Sequence, residues 1–304
     1  MRISLVLGSG GARGYAHVGA IRELEARGHE IVAVAGASIG ALVGGALAAG
    51  KLDELADAAL HLSRTDVWMM FRPSLNQAGL IKPDRVMNAL RRIIGDVRIE
   101  DLPVPYTAVA TDLLSRREVW FHEGPLLAAI RASISIPSVF TPVMLQGRLL
   151  TDGGLVNPLP METSLRLDAD VTVAVSLFGP DPGLGAAGAI EVSSDKHDTT
   201  NPLTRLSERI AGALPTIPAL SHAGPEQDDP FDPLPPDLDI GDMVVMSLNV
   251  MQARIQASRI AVNPPDVHIE VPVSLASTFD FGDAERIIET GRELAAAEFD
   301  RVGL

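Results

Sequence analysis

The chain has 304 residues, 46% of them hydrophobic and 21% charged, a globular balance that excludes a fibrous or wholly disordered protein. Lys and Arg total 25 against 39 Asp and Glu, a formal charge of −14. A field of that sign repels phosphate backbones and excludes general nucleic-acid binding, while the lack of cysteine excludes disulfide frameworks, thiolate catalysis and zinc–thiolate sites.

The chain opens MRISLVLGSGG, with an apolar run too short for a secretory signal. Residues 31–50 carry no charge and match a bilayer span in length alone, but five of them are glycine. A strand, a tight turn and a small-residue helix read that stretch better. A cytoplasmic protein is expected.

Residues 3–7 form a short apolar strand, followed by the glycine loop Gly8-Ser9-Gly10-Gly11-Ala12-Arg13-Gly14. Residues 15–27 read as a helix, because Val18, Ile21 and Leu24 recur at near-helical spacing and Gly28 supplies a stop. Residues 31–35 are a continuous apolar strand, as expected when both faces are buried in a parallel sheet. That strand enters Gly36-Ala37-Ser38-Ile39-Gly40 and a second helix. Strand, glycine turn and helix thus occur twice in fifty residues, which predicts an α/β layered fold.

Helices are predicted over 52–62, 83–94 and 125–132, and strands over 106–110, 118–121, 148–150 and 171–177. Residues 1–178 are expected to form a catalytic core. Residues 179–240 break the pattern, with ten prolines and eleven acids against three bases, and read as a lid, a binding loop or disorder. Residues 241–304 return to helices over 242–261 and 283–299 around a strand near 267–271, completing the same domain.

Gly36-Ala37-Ser38-Ile39-Gly40 matches the nucleophile-elbow pattern G-x-S-x-G. That chemistry needs a serine on a sharp strand-to-helix turn, with glycines where backbones crowd. Gly8, Gly10 and Gly14 also approach a dinucleotide fingerprint, but the second strand lacks the acid that would hold a ribose. The loop instead offers a row of backbone amides suited to an oxyanion beside the serine. A base is needed, and none of the seven histidines stands out; His268, on a late strand, is the most plausible if a Ser–His–Asp triad operates. Asp152, at a strand end before Gly153 and Gly154, reads either as a direct proton acceptor or as the start of an Asp-Gly turn.

Three motifs in this order, Gly10-Gly11-Ala12-Arg13-Gly14, Gly36-Ala37-Ser38-Ile39-Gly40 and Asp152-Gly153-Gly154, resemble the patatin-like phospholipase family, and within it the bacterial branch related to neuropathy target esterase. The stretches Tyr15-Ala16-His17-Val18-Gly19, Ala132-Ser133-Ile134-Ser135-Ile136-Pro137 and Asn157-Pro158-Leu159-Pro160 fit as well. The resemblance implies a three-layer α/β/α fold with a mostly parallel sheet. It implies a Ser38–Asp152 dyad that hydrolyses lipid or lysophospholipid acyl esters through an acyl-enzyme. The amides of Gly10, Gly11 and Ala12 would form the oxyanion hole, and Arg13 would brace the loop or meet a phosphate. Ser9 departs from the glycine many members carry.

No cofactor and no metal are expected. The expected partner is a lipid or acyl-ester substrate, with transient contact at a membrane or micelle surface. Competing readings are a lipid-binding or scaffolding protein of the same fold, a Ser–His–Asp hydrolase, and a dinucleotide-dependent oxidoreductase. An apolar route to Ser38 would need covering in water. Residues 68–71 (Trp-Met-Met-Phe) and the stripe Leu203, Leu206 and Ile210 would supply that cap; in the plainer reading the first is core and the insert a solvated loop.

Overall fold

Apolar strands that read as unbroken hydrophobic runs belong in the middle of a sheet covered on both faces. The computed structural model, which describes residues 1–62, 65–67, 83–137, 139–164, 168–181 and 240–304, follows that rule. Strands β1 (Arg2–Leu7) and β2 (Glu30–Ala37) pair in parallel, with Leu5 opposite Val34. On the far side of β1 lies β7 (Val171–Gly179), then β8 (Val267–Pro272), both parallel. Beside β2 lies β3 (Tyr106–Asp112), also parallel. The remaining strands, β4 (Arg117–Phe121), β5 (Val143–Leu145) and β6 (Arg148–Asp152), join antiparallel. The order is β5-β6-β3-β2-β1-β7-β8, with β4 also paired to β3.

Described helices are α1 (Tyr15–Ala26), α2 (Ile39–Ala48), α3 (Leu52–Leu60), α4 (Asp84–Ile94), α5 (Leu126–Ser133), α6 (Ile240–Val262) and α7 (Ala284–Val302). Alternate residues of β1 divide between the two faces, as the strand period requires. Leu5 and Leu7 join a core with Ile21 of α1, Val43 of α2, Ile130 of α5 and Phe299 of α7. Val6 turns the other way and packs with Ala174, Leu159, Met161 and Ile260 of α6. The result is the expected α/β architecture, a mixed, mostly parallel sheet between helices.

Two differences from the sequence reading are local. The first helix ends at Ala26, with Arg27 as its cap and Gly28 at φ 76°. Strand β5 was not anticipated, since three residues carry no readable period. Of the segment 179–240, only 179–181 and 240 are described. The cap expected from residues 68–71 and from Leu203, Leu206 and Ile210 therefore lies outside the described residues. No helix among the described residues is long and apolar enough to cross a membrane.

Candidate active site

Ser38 stands between the end of β2 and the start of α2. Its backbone sits at φ 56° and ψ −124°, a region that costs an L-residue about 1–3 kcal/mol. The neighbouring glycines make the turn sterically possible. A Cβ on Gly40 would lie 2.2 Å from the Leu7 carbonyl oxygen, and one on Gly36 would lie 2.3 Å from the Gly40 carbonyl carbon. The helix start thus presses against the end of β1, and only glycine permits it. The Ser38 amide donates to the Ser133 hydroxyl at 2.9 Å, and that hydroxyl donates to the Val109 carbonyl at 2.6 Å.

Asp152 closes β6 and is buried. Its amide donates to the Ser135 carbonyl at 3.0 Å, and its own carbonyl accepts from the Thr111 hydroxyl at 2.8 Å. With the backbone so fixed, one carboxylate oxygen accepts the Gly154 amide at 2.7 Å, and the other accepts the Ser38 hydroxyl at 2.5 Å. Asp152 is therefore both the cap of the turn Gly153–Leu155 and the partner of Ser38. Burial pushes its carboxyl up to about 7, against the opposing pull of the Ser38 and Gly154 hydrogen bonds.

The glycine loop leaves β1 pinned at both sides: Gly8 N donates to the Val175 carbonyl at 2.9 Å and Ser9 N to the Pro158 carbonyl at 2.8 Å. From below, His17 Nε2 meets the Gly8 carbonyl at 2.9 Å, so that nitrogen carries the proton. Burial holds the His17 imidazole down to about 4. Of the three loop amides singled out in the sequence, that of Ala12 donates to the Thr278 carbonyl at 3.0 Å. The Gly10 and Gly11 amides have no acceptor among the described residues. Gly11 has φ 62°, and a Cβ there would fall 2.2 Å from the Thr278 oxygen.

Arg13 is 1% exposed. It donates to the Val273 and Ala276 carbonyls, each at 3.2 Å, and lies over the Phe178 ring with its guanidinium carbon 5.5 Å from the centroid. These hydrogen bonds tie the loop to the segment just after β8. The Arg13 charge is turned into the protein.

Two compartments open on Ser38. The larger, about 1040 Å³ including its open mouth, is lined by Leu42, Leu55, Leu90, Ile93, Phe140 and Phe281 among others. The smaller, about 470 Å³ on the same measure, is lined by Ser9, Leu155, Leu248, Asn249, Gln252 and Thr278 among others. Both share Gly11, Ser38, Ile136 and Phe279.

The late histidine weighed as a triad member is elsewhere. His268 lies on β8, separated from β2 by β1 and β7, and its Nε2 meets the Ser176 hydroxyl at 3.0 Å. Sequence reasoning singled out none of Asn249, Gln252, Thr278, Phe279 or Phe281. The helical period marks the first two only as neighbours on one helix face, and a loop carbonyl such as that of Thr278 leaves no sequence signal. Among the described residues, no group of three or more His, Asp or Glu side chains is set to hold a metal ion.

A strained serine at a strand-to-helix turn, joined to a buried aspartate within an α/β sheet, narrows the class of protein. Residues 5–165, over half of the sequence, match the patatin-like phospholipase family. The chain belongs to that family, and membership implies lipid ester hydrolysis as its class of activity. An uncharacterized NTE family protein of Mycobacterium tuberculosis is 39% identical over 97% of this chain and 90% of its own length. Patatin-like phospholipase domain-containing protein 6 of Mus musculus is 30% identical over 59% of this chain and 14% of its own. The solved structure of VipD from Legionella pneumophila aligns with a TM-score of 0.45 at 14% identity, covering 98% of this chain and 66% of that one.

Proposed function

We propose that this chain hydrolyses lipid or lysophospholipid acyl esters through a Ser38–Asp152 dyad and an acyl-serine intermediate. The observation that carries the reading is the 2.5 Å hydrogen bond from the Ser38 hydroxyl to a buried carboxylate, at the mouth of an apolar cavity. As Ser38 Oγ attacks the ester carbonyl, Asp152 takes its proton. The negative charge that develops on the carbonyl oxygen falls to the Gly10 and Gly11 amides, which carry no other acceptor among the described residues. Asp152 then returns the proton to the leaving alcohol. Water, deprotonated by the same carboxylate, releases the acid and restores Ser38.

An acyl chain fits the larger cavity, whose walls from α2, α3 and α4 are aliphatic or aromatic. Met243, Val250 and Met251 of α6 are exposed, with Val250 61% accessible. They lie on the helix that also lines the smaller compartment, and suit transient contact with a micelle or membrane surface.

The test is hydrolysis of p-nitrophenyl esters of graded acyl length by wild type and Ser38→Ala. The reading expects activity on medium and long chains and a loss of several orders of magnitude in the variant. A variant that keeps more than about a tenth of kcat overturns it.

A further inference from the structure

The two compartments meet at Ser38 and Gly11, so an ester carbonyl held there has two directions available to its substituents. The apolar cavity suits the acyl chain. The alcohol portion then faces the smaller compartment, whose chemistry differs.

Asn249 and Gln252 stand three residues apart on α6 and so project from one face. Both line the smaller compartment. Gln252 Oε1 accepts the Ser9 hydroxyl at 2.8 Å, which orients the carboxamide and leaves its Nε2 without a partner among the described residues. The Asn249 carboxamide has no partner there either. Two neutral carboxamides supply both donors and acceptors, which is the complement of hydroxyl groups.

A phosphate would be met by charge-assisted donors, most often a guanidinium. Among the described residues lining the smaller compartment there is no Arg or Lys. Arg13 points to the Val273 and Ala276 carbonyls, Arg131 to the Thr141 carbonyl, and Arg259 of α6 to Glu162 at 2.6 Å. The chain's formal charge of −14 also opposes an anionic head group.

We infer that the preferred substrate is an acyl ester of an uncharged, hydroxyl-bearing alcohol, of the monoacylglycerol kind, read by Asn249 and Gln252. This rests on the hydrolase reading above and narrows its substrate class. Phosphorylated head groups are disfavoured.

The test compares 1-decanoylglycerol, 1-decanoyl lysophosphatidic acid and p-nitrophenyl decanoate on wild type, Asn249→Leu and Gln252→Leu. Labelling of Ser38 by a fluorophosphonate reports that each variant retains its site. Wild type is expected to prefer the glycerol ester to the lysophospholipid by about tenfold or more in kcat/KM. Each variant is expected to lower the ratio of glycerol ester to p-nitrophenyl ester by about fivefold, through KM. Equal or better turnover of the lysophospholipid, or an unmoved ratio in both variants, overturns the inference while the hydrolase reading stands. Failure of wild type to hydrolyse p-nitrophenyl decanoate overturns the hydrolase reading itself and takes this inference with it.

Discussion

The amide of Ser38 ends on the hydroxyl of Ser133, 2.9 Å away, so α5 holds the strained turn from behind. Ser133 is wholly buried, and its hydroxyl donates a hydrogen bond to the Val109 carbonyl on β3. The elbow is thus tied to the strand that also pairs with β6, which carries Asp152.

Ser133→Ala leaves the Ser38 amide and the Val109 carbonyl unsatisfied in a dry interior. The expected cost is about 1–3 kcal/mol per orphaned group. Because the turn aims Ser38, kcat should fall about tenfold or more with KM little changed. Ser133→Thr, which keeps the hydroxyl, should recover much of it. A Thr variant as impaired as Ala would assign Ser133 to packing alone.

His17 supports the glycine loop after β1 by donating to the Gly8 carbonyl. His17→Leu fills the space and removes the donor, and the loop should loosen, lowering kcat about tenfold. His17→Gln reaches with an amide nitrogen and should be the milder change. Kinetics of both on one soluble ester decide this.

Asp152 must be ionised to accept the Ser38 proton, and burial holds it near 7. kcat/KM for a neutral ester should therefore rise with pH through about 7 and level above it. Stability runs the other way. A carboxyl whose folded pKa is raised contributes stability below its unfolded value, near about 4, and loses it as pH climbs through the folded value. Asp152→Asn carries no such charge, so its melting temperature should gain on wild type between those limits by at least several degrees, about 4 or more. Its activity should be nearly as low as that of Ser38→Ala. Calorimetry across pH checks the first claim and initial rates the second. A gap in melting temperature that shrinks as pH rises would contradict it.

Ala59 of α3 is 5% exposed and lines the apolar cavity. Ala59→Phe should fill part of that space and shift the preferred p-nitrophenyl ester to shorter chains. Overpacking costs about 1–3 kcal/mol, which the fold should tolerate. An unshifted chain-length optimum in the folded variant would remove the acyl chain from this cavity.

The first fifty residues were legible because strand, turn and helix are adjacent in sequence and each is locally determined. The apolar runs of β1 and β2, the Gly36–Gly40 elbow and the loop after β1 all follow from short-range sterics. Asp152 was legible as a turn residue, and its pairing with Ser38 across 114 positions needed the sheet to bring β6 and β2 to one end. Ala12 illustrates the limit. Its amide stands in a row that reads as three donors, but the carbonyl of Thr278, far along the chain, already takes that one. Asn249 and Gln252 were read as part of a long helix, since helical period reports a shared face without saying what that face meets. His268 was the natural triad candidate by residue type, and its place on β8 separates it from Ser38.

The dyad itself is tested most directly by trapping the acyl-enzyme. Wild type and Asp152→Asn are mixed with a p-nitrophenyl ester, quenched, digested and analysed by mass spectrometry. The account predicts an acyl adduct on the Ser38 peptide of wild type, with formation slowed by several orders of magnitude in Asp152→Asn. Turnover with no adduct at Ser38, or an adduct formed as fast in Asp152→Asn as in wild type, would contradict it.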